Sequence, residues 1–314
     1  MNGDLPPLPP RPGDGHKGTF GTVCVLGGQA AAPQVMLGGP ALAAIGALRA
    51  GAGLAVLAVP QPLLHAALSV APSATGLALP VDRHGRLQPS EVAELLDQYL
   101  PQYACLAAGP GFGADEPQRR IMVRLITRAD LPMVIDADAL NALSHIAEIQ
   151  RDFRAQAVLT PHPGEYKRLA AALRIEADPI DRTARPAAAQ ELARRVGCVV
   201  VLKGPGTVVS DGINTWTNTT GNVALATAGT GDVLTGVIAA LIAQHYIAHQ
   251  TGGSAPRAAE QPDALSLYDC ARLGVYLHGL AADRWAARHG AAGMLAMDLA
   301  DEIPDAIAQM RPAQ

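Results

Sequence analysis

Residues 222–244 read NVALATAGTGDVLTGVIAALIAQ, and the fold is decided inside that stretch. Its centre, Ala228-Gly229-Thr230-Gly231-Asp232, is a glycine-bracketed turn ending in a carboxylate. Beyond it Val233, Leu234, Val237, Ile238, Leu241 and Ile242 recur with a helical period on more than one side, the pattern of a buried helix. The turn therefore opens a core helix, where the first N–H groups lack partners and the dipole is positive. Such an end suits an anion, and the glycines leave the backbone bare enough for a phosphate to approach. Asp232, in the first helical turn, can cap the helix or take a proton from a hydroxyl meeting that phosphate.

Outward from this turn, strand-like runs at 20–26, 54–59, 76–79, 103–108, 133–135, 157–160 and 198–202 alternate with helix-like ones. The helical patterns fall at 40–50, 91–99, 117–128, 185–196, 267–287 and 297–307. This alternation predicts an α/β fold: a mostly parallel sheet, helices on both faces and right-handed crossovers. Asp211-Gly212, between runs at 207–210 and 213–217, signals a two-residue hairpin that adds antiparallel strands late in the chain. No linker-like break or internal repeat interrupts 17–310, so 17–314 is expected to form a single domain. Residues 1–16 are Pro-rich and expected to be an extended, poorly ordered tail; the polar, Gly- and Pro-containing stretch at 249–265 is expected to be a mobile loop.

Composition narrows the function. Of 314 residues 49% are hydrophobic and 17% charged, which supports a large core, and a net charge of −4 gives no basic footprint for nucleic acid. No apolar segment is long enough to span a bilayer, and the N-terminus lacks a signal-peptide core. Cys24, Cys105, Cys198 and Cys270 form no CxxC pair, and three lie in apolar runs. They read as core residues in a reducing, cytoplasmic compartment.

In parallel α/β sheets, ligands bind beyond the carboxyl ends of the strands. The unusual sequences collect there: Gly27-Gly28, GPGFG at 109–113, DADALN at 136–141, TPHPGE at 160–165 and KGPGT at 203–207. The GPGFG run matches the dinucleotide fingerprint weakly, and reads either as a tight turn or as backbone contact with a substrate through Gly111 and Gly113. Asp136, at a strand end, is placed for a Mg²⁺-bound water or a substrate contact, whereas Asp138 suits a helix cap before Ala139. His162, rigidly flanked by prolines, is either solvated or a ligand contact, and Glu165 either caps the next helix or supports a metal through water. Lys203 is either a surface charge or an ammonium over a nucleotide phosphate. Asn218 and Asn222 remain open as base or ribose contacts, and His278 and Asp283 read as structural.

Together, AGTGD, KGPGT, TPHPGE and VIDADALN make the chain resemble the ADP/ATP-dependent NAD(P)H-hydrate dehydratases, with the ribokinase-like three-layer fold. The AGTGD turn marks the superfamily; VIDADALN with LTPHPGE picks out the family. The resemblance covers nearly everything but the first sixteen residues and the stretch after His249. It implies nucleotide-driven dehydration of (6S)-NADHX or (6S)-NADPHX, with ADP or ATP as co-substrate, Mg²⁺ as cofactor, and a homo-oligomer, a tetramer in relatives. By the same carry-over Gly39, Gly111, Gly113 and His162 contact the hydrate; Lys203, Gly204, Pro205, Gly206, Thr207, Ala228, Gly229, Thr230 and Gly231 hold the nucleotide; Asp232 faces the reacting hydroxyl. No metal ligand is assigned beyond Asp136 and Glu165 acting through water. The short N-terminal tail implies a stand-alone form without the upstream epimerase domain of some relatives. Departures from the family pattern fall at 29–39, where a serine and a tyrosine are absent, at Gly39 in place of alanine, and at Val223 in place of proline. Two alternatives share these motifs: a ribokinase-like kinase for a vitamin-precursor alcohol, and a nucleotide sensor without turnover.

Overall fold

The computed structural model describes residues 5–146, 148–246 and 264–311. Nine strands form one sheet in the order β3-β2-β1-β4-β5-β6-β7-β8-β9. They are β1 (Thr22–Leu26), β2 (Leu54–Pro60), β3 (Thr75–Leu79), β4 (Cys105–Ala108), β5 (Met133–Ile135), β6 (Ala157–Leu159), β7 (Val199–Leu202), β8 (Val208–Ser210) and β9 (Thr215–Thr217). The pairs from β3 to β7 are parallel, and β7-β8-β9 are antiparallel. The hairpin occurs where Asp211-Gly212 placed it, but its loop has four residues, not two. Ser210 pairs with Thr215, and the Asp211 carboxylate accepts the N–H groups of Ile213 and Asn214. That carboxylate ties up the polar backbone a two-residue turn would have paired across strands.

Strand periodicity divides the core in two. Val23 and Val25 point to one side, Cys24 and Leu26 to the other, and both sides are dry, which is why the strands read as continuous apolar runs. One layer holds α1 (Gly38–Arg49), α2 (Leu64–Val70), α8 (Thr230–His245), α9 (Leu267–His289) and α10 (Ala296–Met310). The other holds α3 (Pro89–Tyr99), α4 (Glu116–Ile126), α5 (Ala137–Ser144), α6 (Pro163–Leu173) and α7 (Arg185–Val196). Every residue of α8 from Val233 to Ile242 is buried, as its all-round apolar pattern requires.

The helices α1 and α8 cross in backbone contact. A Cβ on Gly236 would lie 2.0 Å from the Ala43 carbonyl oxygen, and one on Gly46 2.7 Å from that of Val233. Only hydrogen fits at either position.

Residues 5–16 have neither helix nor strand, consistent with an extended tail, yet they are tethered. Leu8 is buried, and Arg11 stacks on Phe20 while donating to the Gly51 carbonyl at 2.7 Å. The loop expected at 249–265 lies, up to residue 263, outside the described residues.

Candidate active site

The register of the sheet brings the special loops level with one another. Leu26 pairs with Ala108, Ala108 with Ile135 and Ile135 with Leu159, so four strands end side by side. Backbone bonds then stitch the loops together: Gly28 N–H to the Pro110 carbonyl (3.0 Å), Thr160 N–H to Ile135 (3.1 Å) and Lys203 N–H to Pro161 (2.9 Å). At the GPGFG turn, a Cβ on Gly109 would meet the Asp136 carbonyl oxygen at 1.8 Å. Glycine there lets the β4 and β5 loops touch.

Asp136 and Lys203 form the charged floor. The Lys203 ammonium lies 2.6 Å from Asp136 Oδ1 and 3.8 Å from Glu165 Oε2, and the Thr235 hydroxyl donates to Asp136 Oδ2 at 2.6 Å. Burial alone would push the Asp136 carboxyl up, but Lys203 and the Thr235 hydroxyl together hold it below its usual range. Lys203 is correspondingly kept charged: burial works against the ammonium, and Asp136 and Glu165 outweigh it. Both Asp136 oxygens are thus committed. Glu165 Oε2 accepts the His162 N–H at 2.8 Å in the capping box that opens α6. Among the described residues no group of three His, Cys, Asp or Glu is arranged to hold a metal ion. Asp136, read from the sequence as placed for a Mg²⁺-bound water or a substrate contact, is the counter-ion of Lys203. The donors present do not make a protein cage for Mg²⁺.

Asp232 is placed differently. Its Oδ1 lies 3.3 Å from the position of a Cβ on Gly39, at the start of α1, and Pro110 borders the same space. Among the described residues its carboxylate has no hydrogen-bond or ion-pair partner. Burial, then the nearby Asp136 charge, pushes its pKa to about 7, against the pull of Lys203. Glu165 is likewise pushed to about 7, chiefly by burial. Asp232 therefore does not cap α8; it is a carboxylate poised between its two protonation states.

Beside it opens a cavity of about 640 Å³, lined by Lys203, Gly204, Pro205, Gly206, Thr207, Thr230 and Gly231 among others, within the range of small-ligand sites. A Cβ on Gly231 would sit 3.6 Å from the Lys203 ammonium, so the lysine faces the open end of α8. The Gly231 and Asp232 N–H groups have no partner among the described residues. Ala228 and Gly229 do not line the cavity. Gly229 instead packs the turn against Leu42 and Ala296, and a buried Thr230 hydroxyl is shared by the Leu225 and Thr227 carbonyls, both at 2.9 Å.

The residues assigned to the hydrate are spread along a second side. His162 caps α6, its Nδ1 accepting the Gly164 N–H at 2.9 Å, and burial followed by the Lys203 charge lowers its pKa. With Nδ1 accepting, the neutral ring carries its proton on Nε2. Gly113 gives its N–H to Asp138 Oδ2 at 2.9 Å and lies against Gln29, which lines a cavity of about 350 Å³. Gly111 packs on Met36. Asp138 thus braces the GPGFG turn, and it does not cap a helix at 139, because α5 begins two residues earlier at Ala137.

Three functional supports were not legible as such. Arg185, 3% exposed, donates to the Leu202 and Pro205 carbonyls and so fastens the KGPGT loop. Thr235 was readable only as a hydroxyl in an apolar helix. His278 is structural as expected, Nε2 donating to the Thr230 carbonyl at 2.8 Å, but it also lines the larger cavity. Asn222 and the Gly221 N–H are both held by Asp283, and Asn218 bonds the Thr220 carbonyl; these asparagines line the cavity while shaping its wall.

A mostly parallel sheet between two helical layers, with an antiparallel hairpin at one end, is a ribokinase-like fold. A ribokinase-like superfamily protein from Enterococcus faecalis shares that fold, with a TM-score of 0.73 at 23% identity over 97% of this chain and 92% of its own. The chain belongs to the NAD(P)H-hydrate dehydratase family, whose model matches residues 23–305. It is 33% identical to the ADP-dependent (S)-NAD(P)H-hydrate dehydratase of Bacillus subtilis, over 95% of this chain and 92% of that one. The crystal structure of the ADP/ATP-dependent NAD(P)H-hydrate dehydratase from Bacillus subtilis, co-crystallized with ATP/Mg²⁺, superposes with a TM-score of 0.72 at 28% identity, covering 97% and 95% of the two chains. The bifunctional NAD(P)H-hydrate repair enzyme Nnr of Moorella thermoacetica is 37% identical over 95% of this chain, which spans 51% of that relative's length. No helix among the described residues is long and apolar enough to cross a membrane.

Proposed function

We propose that this protein dehydrates (6S)-NADHX and (6S)-NADPHX to NADH and NADPH, using ADP and releasing AMP and phosphate. The observation that carries the proposal is the partnerless Asp232 carboxylate, pushed to about 7, at the open N-terminus of α8 beside the larger cavity. A base with a pKa near the working pH is best matched to accept a hydroxyl proton. The Bacillus subtilis relative is named ADP-dependent and the Bacillus subtilis crystal structure ADP/ATP-dependent, so ADP is proposed with ATP as the alternative.

The hydrate carries a hydroxyl on the carbon next to the ring nitrogen, and hydroxide leaves poorly. Asp232 takes the hydroxyl proton while the oxygen attacks the terminal phosphorus of ADP; the bond to the bridging oxygen breaks and AMP departs with its electron pair. The free N–H groups of Gly231 and Asp232 receive the charge on the moving phosphoryl group. Lys203, held in place by Asp136, adds its ammonium at the same end. The carbon–oxygen bond to the phosphate then breaks as the ring nitrogen donates its pair, the phosphate leaves with the bonding electrons, and the proton on the neighbouring carbon passes to that phosphate, restoring the dihydronicotinamide. His162, neutral, turns its Nε2–H toward Glu165 Oε1 at 3.3 Å and is placed with Gly39, Gly111 and Gly113 on the side that would receive the hydrate. Mg²⁺ brought in with the nucleotide would supply charge neutralisation at the phosphates; among the described residues no group of three His, Cys, Asp or Glu would hold it by itself.

The proposal includes a cytoplasmic setting, supported by four buried free cysteines, and a homo-oligomer, which rests on the family resemblance and is checked by light scattering. The deciding experiment incubates the protein with (6S)-NADHX and ADP or ATP and follows the return of dihydronicotinamide absorbance with phosphate release. A stable phosphorylated alcohol in place of NADH would make it a kinase.

A further inference from the structure

The larger cavity has an electrostatic shortfall. Its wall carries two charged residues among the described ones, Lys203 and Arg182. The Lys203 ammonium is already matched by Asp136 at 2.6 Å and Glu165 at 3.8 Å, and Asp232 adds a further carboxyl close by. Lys203 and its carboxylates therefore offer a polyphosphate no net positive charge. Arg182 is exposed, and its side chain has no hydrogen bond or ion pair among the described residues.

Its position is fixed by its neighbours. The Asp181 carboxylate accepts the N–H groups of Thr183 (2.8 Å) and Ala184 (3.1 Å), which sets the turn that opens α7. Three residues after Arg182, Arg185 grips the Leu202 and Pro205 carbonyls on either side of Lys203-Gly204. One short turn thus fastens the KGPGT loop and stands a free guanidinium beside it. Arg182 also borders a hollow of about 210 Å³ formed with Pro205, Gly206 and Thr217, which puts it at the outer lip of the loop.

We infer that Arg182 is a nucleotide-binding residue that clamps the phosphate chain of the nucleoside diphosphate, adding to the Lys203 ammonium, which is offset by its own carboxylates, a positive charge that nothing offsets. This rests on the larger cavity being the nucleotide site. A guanidinium offers paired donors to phosphate oxygens that an ammonium cannot reproduce, so the contribution belongs to affinity for polyphosphate and not to recognition of adenosine.

Calorimetric titration of ADP and of adenosine into the wild type and three variants tests this. Arg182→Ala should weaken ADP about tenfold, Arg182→Glu should weaken it further, and Arg182→Lys should recover part of the loss. Adenosine binding should be unchanged in all three. Raising the ionic strength should weaken ADP more steeply in the wild type than in Arg182→Ala. Thermal unfolding of Arg182→Ala should match the wild type closely, since among the described residues the exposed side chain makes no hydrogen bond or ion pair to lose. Equal ADP affinity in the wild type and Arg182→Ala overturns this assignment while leaving the proposed reaction standing. Equal losses for ADP and adenosine overturn it too, by placing the guanidinium on the base. A wild type that binds no ADP overturns the nucleotide site itself, and this inference with it.

Discussion

Asp232→Asn should make the protein more stable and nearly inactive at once. The side chain keeps its shape and loses only its charge. In the wild type, burial and the neighbouring Asp136 move the carboxyl from 3.8 to about 7. At about 1.4 kcal/mol per pH unit, ionised Asp232 costs the fold roughly 4 kcal/mol at pH 8. Its attraction to the N-terminus of α8 returns about 0.3–1 kcal/mol, so Asn should gain on the order of 3 kcal/mol there. The sign follows from linkage: the folded carboxyl binds its proton more tightly than the unfolded one, so wild-type stability falls as pH rises from about 4 to about 7 and then levels. The advantage of Asn should therefore be full at pH 8 and vanish near pH 4. Turnover should drop about 10²–10⁴-fold, and the wild-type kcat/KM should fall on the acid side of about 7, a limb absent from the residual activity of the variant. Urea unfolding at both pH values, with dihydronicotinamide absorbance for activity, measures all of this. An Asn variant that is less stable at pH 8, or that keeps near-normal turnover, refutes the reasoning.

Lys203→Met strands Asp136 in the interior and should cost about 3–5 kcal/mol; adding Asp136→Asn should restore most of the stability in thermal unfolding but not ADP affinity in calorimetry. His162→Ala removes the α6 cap and should cost about 1 kcal/mol, whereas His162→Asn should keep the cap and still raise the KM for the hydrate. Gly236→Ala pushes a methyl group into the Ala43 carbonyl and should cost about 2–4 kcal/mol, read as a lowered Tm with lowered turnover.

The sheet was legible because central strands dry on both faces leave unbroken apolar runs, and because β1, β4, β5 and β7 are followed at once by glycine or a charge. The short helix α2 was not anticipated: it has seven residues and only Ala67 buried, too little for a period to show. The site was legible as a set of loops, since the motifs at 109–113, 160–165, 203–207 and 228–232 all fall on the rim. Their partnerships were not. Asp136 bonds Lys203, 67 residues away, and Thr235, 99 away, and local pattern carries no information about which loop reaches which. That is why the Lys203 partner of Asp136 could not be read, and why Arg185, 17 residues in sequence from the Leu202 carbonyl that it holds, went unnoticed.

The glycine crossing of α1 and α8 has a mechanical consequence. With no side chain at Gly46 or Gly236 to yield, α1 and α8 meet backbone to backbone, and Gly39 and Asp232 stand at the ends of helices that this contact joins. Substitutions meant to alter what the protein accepts therefore belong in the loops at 29–37 and 204–206, not at Gly46 or Gly236.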